Sequence, residues 1–154
     1  MGAPTVMRLA LASDHAGFAL KAALLPWLRE AGHDVLDLGT DGTESVDYPD
    51  FGRALAEAVA DGRADFGIAI CGSGIGISIA VNRHPALRCA RVDDPLSAAL
   101  ARRHNDANAI ALGARLIGEE MARACITAFL AAEFEGGRHQ NRVDKLGAPQ
   151  ETLA

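Results

Sequence analysis

Asp65-Phe66-Gly67-Ile68-Ala69-Ile70-Cys71, running straight into Gly72-Ser73-Gly74-Ile75-Gly76 and the helical stretch Ile77–Asn82, decides how this chain folds. The first seven residues are short and apolar enough for a strand buried on both faces, the setting of a central strand in a parallel sheet. Three glycines at 72, 74 and 76 let the backbone approach a ligand and turn its N–H groups inward at the start of a helix, which makes an anion hole. A glycine-rich turn can also join strand to helix with no ligand, so the spacing favours binding without requiring it. Three other uses of such a loop fail by counting. The GxxxxGK[ST] lysine of nucleoside triphosphatases is absent, position 77 is Ile where GxGxxG needs Gly, and the same Ile77 stands where a thiol phosphatase needs Arg.

Upstream of this passage, Val6–Ala12 reads as a strand and Ser13-Asp14-His15-Ala16-Gly17 opens a helical pattern to about Gly32. Pro26 falls inside it and predicts a kink or break near Ala22. His33–Leu38 alternates like a strand, Gly39–Pro49 is a loop, and from Asp50 to Gly62 the residues Phe51, Ala54, Leu55, Ala58 and Val59 mark one helix stripe. Downstream, Leu87–Val92 is a fourth strand, Asp94–His104 a helix with Pro95 in its first turn, Ala107–Leu112 a fifth strand and Gly118–Leu130 a helix. The tail after Glu135-Gly136-Gly137 reads as a short last helix carrying Arg138, His139, Arg142 and Lys145. Five strands alternating with helices predict α/β architecture: a single-domain, Rossmann-like α/β/α sandwich with a five-stranded parallel sheet spanning 1–154. Ligands of such sheets bind beyond the carboxyl ends of the strands.

The 154 residues are 49% apolar and 23% charged, ordinary usage for one globular domain. No apolar stretch approaches the ~18 residues of a spanning helix and the N-terminal run carries no signal-peptide pattern, so a cytoplasmic protein without membrane attachment is expected. A net charge of −5 disfavours a nucleic-acid partner. Residues 1–70 hold 5 basic and 11 acidic side chains and residues 71–154 hold 10 and 9, so a bound anion should be met from the C-terminal half.

Cys71 ends a buried strand where a thiolate would meet a positive helix end and inward N–H groups, making it a candidate base, whereas Cys89 and Cys125 read as small buried hydrophobes. Asp14 and His15 lie at the end of the first strand, on the same rim as Cys71 if strands one and three are neighbours, although Asp14 suits a helix cap equally well. His104, at the hand-over from the fourth helix to the fifth strand, suits a proton donor, a phosphate contact or a solvated helix-end residue. His33 and His84 read as surface residues. No group of carboxylates and histidines stands at metal-ligand spacing, so neither a metal nor any other cofactor is expected.

Taken together, Ser13-Asp14-His15-Ala16-Gly17-Phe18 with Lys21, Asp47-Tyr48-Pro49, Cys71 through Ala80, Arg103-His104-Asn105-Asp106, Gly113-Ala114-Arg115 and Glu135 through Arg142 resemble the ribose-5-phosphate isomerase B family, which includes galactose-6-phosphate and allose-6-phosphate isomerases. The resemblance covers nearly the whole chain; Met1–Thr5 and Gly147–Ala154 carry none of it and are expected to be mobile ends. It implies an aldose-ketose isomerase of pentose phosphate metabolism that interconverts ribose 5-phosphate and ribulose 5-phosphate through a metal-free cis-enediolate. In that scheme Cys71 moves the proton between C1 and C2, His104 opens the ring, Asp14 assists at the hydroxyls, and Ser73 with the Gly72, Gly74, Ile75 and Gly76 backbone holds the enediolate oxygen. His15, Arg115, Arg138 and Arg142 would bind phosphate, Asn105 sugar oxygens, and Tyr48 would line the pocket. The resemblance further implies a homodimer, or a dimer of dimers, whose sites lie between two subunits, with residues near His104 to Arg115 coming from the partner of the chain that supplies Cys71. Relatives that lack the Cys carry a Glu at the position of Ile77, so this chain is of the thiol type; Ser73 replaces a common Thr and keeps its hydroxyl. A tetrose or hexose phosphate as substrate and a phosphosugar-binding module without turnover are the competing readings.

Overall fold

The computed structural model describes residues 6–148. In chain order the elements are β1 (Arg8–Ser13), α1 (Phe18–Glu30), β2 (Asp34–Asp37), α2 (Tyr48–Ala60), β3 (Phe66–Cys71), α3 (Ile75–Asn82), β4 (Cys89–Arg91), α4 (Pro95–Asn105), β5 (Ala109–Gly113), α5 (Glu119–Ala131) and α6 (Arg138–Gly147). The strands form one parallel sheet in the order β2-β1-β3-β5-β4, so the expected α/β fold and five-stranded sheet are present. The register pairs Ser13 with Ile70 and Cys71 with Gly113, which sets the carboxyl ends of β1, β3 and β5 side by side. The chain passes from β1 outward to β2 and then returns to β3 on the other side of β1. This change of direction opens the crevice where sheets of this kind bind ligands.

Alternation along the central strands gives the sheet two unequal faces. Leu9, Leu11, Ile68, Ile70, Ile110 and Leu112 point to the side covered by α1, α4 and α5, where Leu24, Leu28, Ile126 and Phe129 complete the core. Full burial of such side chains stabilises by about 1.5–3 kcal/mol each. The opposite face carries Ala10, Ala12, Ala69, Cys71, Ala109 and Ala111 under Leu55, Ala58, Ile77 and Val81 of α2 and α3. Small residues there let α2 lie close: a Cβ at Gly67 would come within 2.5 Å of the Leu55 side chain. Cys71 belongs to this second face and therefore ends beneath the starts of α2 and α3.

Several local expectations change. Helix α1 is continuous through Pro26, and Ala22 and Pro26 are both exposed, so the carbonyl deprived of its donor lies on the solvent side. Helix α2 starts at Tyr48 instead of Asp50, with Pro49 in the first turn, where its fixed φ fits and its missing N–H costs nothing. Helix α3 starts at Ile75 because Gly74 takes the left-handed conformation (φ 75°) and turns the chain into the helix two residues early. Strand β4 contracts to three residues, as an edge strand paired only with β5. Of the chain ends expected to be mobile, 1–5 and 149–154 lie outside the described residues, while Gly147 closes α6. Among the described residues no helix is long and apolar enough to cross a membrane.

Candidate active site

A cavity of about 360 Å³ opens at the carboxyl ends of β1, β3 and β5. Asp14 and His15 after β1, Cys71, Gly72 and Ser73 at the end of β3, Tyr48 and Gly76 at the starts of α2 and α3, and Arg115 after β5 line it. Strands one and three are indeed neighbours, which is why Asp14 and Cys71 share this rim. Ala16 and Leu116 also line it and were not singled out in the sequence; each directly follows a residue that was, His15 and Arg115.

Cys71 is 4% exposed, and the Gly74 N–H points at its Sγ from 3.2 Å. That donor, at the positive end of α3, stabilises negative charge on sulfur. The Ser73 Oγ accepts the Ile75 N–H at 3.1 Å, leaving its own proton free to be donated. Arg91 Nε holds the Ser73 carbonyl at 2.8 Å and fixes the loop from behind. Asp14 meets one of its two sequence readings: α1 is capped by Gly17 without a side-chain bond, so Asp14 is not its cap, and, buried at 6% exposure, it accepts the Gly17 N–H on Oδ1 at 3.1 Å in the preceding turn and lines the cavity. His15 Nδ1 accepts the Val46 N–H at 3.2 Å, which places the ring proton on Nε2 and makes that nitrogen a donor. The segment carrying Val46 is anchored in turn by Asp37, whose Oδ1 accepts both Lys21 Nζ at 2.6 Å and the Gly39 N–H at 3.0 Å. Burial alone would raise the Asp37 carboxyl, but Lys21 and the Gly39 N–H outweigh it and hold its pKa below the usual carboxylate value.

Arg115, expected from the partner of the chain that supplies Cys71, instead lines the cavity of its own chain. It is exposed and lies against Gly72, where an added Cβ would meet its guanidinium at 3.0 Å, because Gly113 at the end of β5 pairs with Cys71 and carries the next residues to the same rim. Among the described residues neither Arg115, Arg138 nor Arg142 is in a salt bridge, so all three retain full capacity for an anion.

The remaining candidates stand elsewhere on this chain. Gly74 and Ile75 turn the loop and do not line the cavity, although the Gly74 N–H reaches Cys71. Asn105 lines a second cavity of about 380 Å³ with Asn82, Arg88, Cys89 and Leu146. His104 at the end of α4 stacks on His139 of α6, ring centroids 4.3 Å apart and planes 13° from parallel. Both Nε2 atoms face Glu135 Oε1, at 3.7 and 3.6 Å. Linear spacing gave no histidine and carboxylate cluster; folding α6 back onto α4 makes one, a correction to that reading. Burial, and then the charge of His104, hold His139 below the usual imidazole pKa.

Of the other cysteines, Cys125 is fully buried and pushed up to about 11 by burial, then by Asp94 and Asp93. Cys89 is only partly buried as a residue, yet desolvation pushes its thiol up to about 12. Both are therefore protonated at neutral pH. His33 and His84, read as surface residues, are partly exposed, and each Nδ1 accepts a backbone N–H, from Met7 and Ala86.

Residues 9–146 match the ribose/galactose isomerase family. The chain belongs to that family. Ribose-5-phosphate isomerase B of Escherichia coli is 45% identical to it over 141 residues, covering 92% of this chain and 95% of that one. D-erythrulose-4-phosphate isomerase of Pectobacterium atrosepticum is 42% identical, covering 92% and 94%. The solved structure of ribose-5-phosphate isomerase B from Clostridium thermocellum superposes with a TM-score of 0.91 at 49% identity, covering 92% and 95%. Membership of the ribose/galactose isomerase family bears out the resemblance drawn from the sequence and the fold expected with it.

Proposed function

We propose that this protein is a cytoplasmic aldose-ketose isomerase that interconverts ribose 5-phosphate and ribulose 5-phosphate at the Cys71 cavity. The observation that carries the proposal is Cys71 at a cavity whose walls supply a hydroxyl, a carboxylate, an imidazole N–H donor and an unpaired guanidinium. With the aldose open, the Cys71 thiolate removes the C2 proton and the electron pair moves to the C1 carbonyl oxygen, giving a cis-enediolate. The thiol returns the proton to C1 while the O2 proton passes to O1, and Asp14 serves that exchange between hydroxyls. Ser73 Oγ and the loop N–H groups stabilise the charge on oxygen as it develops. Neither redox equivalents nor a cofactor enter this balance.

The phosphate binds to His15 Nε2 and Arg115, with Arg138 and Arg142 supplied by a second subunit. That subunit also supplies His104, which opens the ring, and Asn105, which binds sugar oxygens. Support for a homodimer lies in Ile75 and Ile79 of α3 and Leu146 of α6, all more than half exposed in the single chain. Asn82 of α3 and Leu146 also line one cavity, so α3 and α6 border a common face that a second copy would cover. A tetrose phosphate is the second reading, favoured by the 42% identity to the D-erythrulose-4-phosphate isomerase; a hexose phosphate and a binding module without turnover rank behind it.

The test is proton NMR of ribose 5-phosphate in heavy water with a chelator present. Ketose formation is expected, with deuterium at C1 of the ketose and, through the reverse reaction, at C2 of the aldose, and Cys71→Ala should abolish the exchange while keeping phosphosugar binding within a few-fold. Full turnover by Cys71→Ala would remove the thiol from the mechanism. Reaction with four-carbon but not five-carbon phosphates would replace the substrate, and no reaction with any of them would leave the binding module.

A further inference from the structure

The cluster where α6 folds back onto α4 has a use beyond ring opening. His104, Glu135 and His139 can each offer one ligand atom such that all three lie within 4.8 Å of one another. Two contacts hold them there. The Glu135 N–H donates to the Arg103 carbonyl at 3.0 Å, which keeps the carboxylate beside the last turn of α4. The His139 N–H donates to the Gly136 carbonyl at 3.0 Å, and its side chain is only 9% exposed. The backbone of Glu135 and His139 is thus fixed beside His104, while the Glu135 and His104 side chains, 52% and 37% exposed, remain free to adjust.

We propose that His104, Glu135 and His139 bind a divalent transition-metal ion of the zinc class, and that the bound ion arrests isomerisation by occupying His104. Two imidazoles and one carboxylate suit zinc, copper(II) or nickel(II) rather than magnesium or calcium, which prefer all-oxygen sites. In a tetrahedral zinc site with bonds of about 2.0–2.2 Å, ligand atoms stand roughly 3.3 Å apart. The two nitrogen-to-oxygen edges measure 3.7 and 3.6 Å, so each closes by only a few tenths of an ångström. The rings are nearly parallel and their lone pairs therefore do not yet converge. Rotation of His104 is the adjustment that binding demands. A fourth position stays open to water. Arg138 and Arg142 repel a dication from the same helix, and the single carboxylate offsets them only in part, which weakens binding.

The metal site rests on geometry alone, whereas the inhibition rests on the role of His104 under the proposed function. The experiment separates them. Zinc is titrated calorimetrically into Cys71→Ser, which removes the competing thiol, and into the same background with His139→Gln or Glu135→Gln. One zinc per chain is expected, weakened more than about tenfold by either change, since loss of even an outer-shell partner costs at least about that much. In parallel, zinc should inhibit the unmodified enzyme, reversibly on adding chelator, and inhibit Glu135→Gln at more than about tenfold higher concentration. No binding up to about 1 mM, or binding indifferent to both substitutions, overturns the site. Binding that responds to both substitutions while turnover stays unaffected upholds the site and removes His104 from the reaction.

Discussion

Gly76→Ala should damage turnover while leaving the fold almost untouched. A Cβ at Gly76 would lie 2.6 Å from Tyr48 Cζ and 2.7 Å from Cε1, against the roughly 3.5–4.0 Å at which carbon atoms pack. The ring must therefore retreat by about 1 Å. It can do so, because Tyr48 is 40% exposed at the start of α2 and has solvent beside it. Gly76 is the second residue of α3 and has no left-handed backbone, so alanine there gains about 1 kcal/mol of helix propensity against a loss of similar size from the displaced ring. The net change in unfolding free energy is within about 1 kcal/mol of zero. Tyr48 leaves the cavity wall, however, and a lost packing contact on the substrate is worth about 1–2 kcal/mol, or roughly 5–30-fold in kcat/KM. Gly74→Ala is the control. Its φ of 75° strains any side chain, and its Cβ would lie 2.9 Å from the Leu112 carbonyl carbon, backbone of a central strand that cannot give way. About 3 kcal/mol or more of stability should go with it. Urea unfolding and steady-state kinetics on both variants decide the matter. The reasoning fails if Gly76→Ala costs more than about 2 kcal/mol, if its kcat/KM is unchanged, or if Gly74→Ala is neutral.

Arg142→Ala should weaken ribose 5-phosphate binding far more than binding of ribose itself, as measured by competition kinetics; equal losses would contradict a phosphate contact. Cys71→Ala and His104→Ala, each inactive alone, should regain about a quarter of normal activity when unfolded together and refolded, because half the dimers are mixed and each of those has one intact site; no recovery would place both residues in one subunit's site. Asp37→Asn leaves Lys21, only 3% exposed, without its counter-charge and should cost about 3 kcal/mol by urea unfolding at neutral pH. Since the Asp37 pKa is depressed, its contribution is present above the ordinary carboxylate value of 3.8 and is lost as the pH falls through the folded value. The gap between wild type and variant should accordingly close in acid, and a gap independent of pH would show that the ion pair is not its source.

What the sequence made legible follows the range over which each signal acts. The strand, loop and helix around Cys71 are local, and a continuous apolar run with three spaced glycines specified them closely, Gly74 shifting only the start of α3. The sharing of one rim by Asp14, His15 and Cys71 needed one nonlocal fact, that β1 and β3 are neighbours, which the sequence left as a condition and the strand order meets. Pro26 misled because the rule for proline in helices concerns a single bond, while the buried stripe of Lys21, Leu24 and Leu28 holds α1 together across it. The contact between α4 and α6 had no signal at all. Glu135 and His139 are four residues apart and could be paired from spacing, but His104 joins them only because Gly136 and Gly137, both at positive φ, reverse the chain. The same reversal carries Arg138 and Arg142 outside the Cys71 cavity of their own chain. Under the proposed roles, a base and an oxyanion loop on one side of the molecule, with an acid and two arginines on another, would make half a site twice over. Two copies related by a twofold axis can complete both halves at once, whereas a monomer would have to leave each unfinished. Mixing the two inactive variants therefore tests the architecture as well as the assignments.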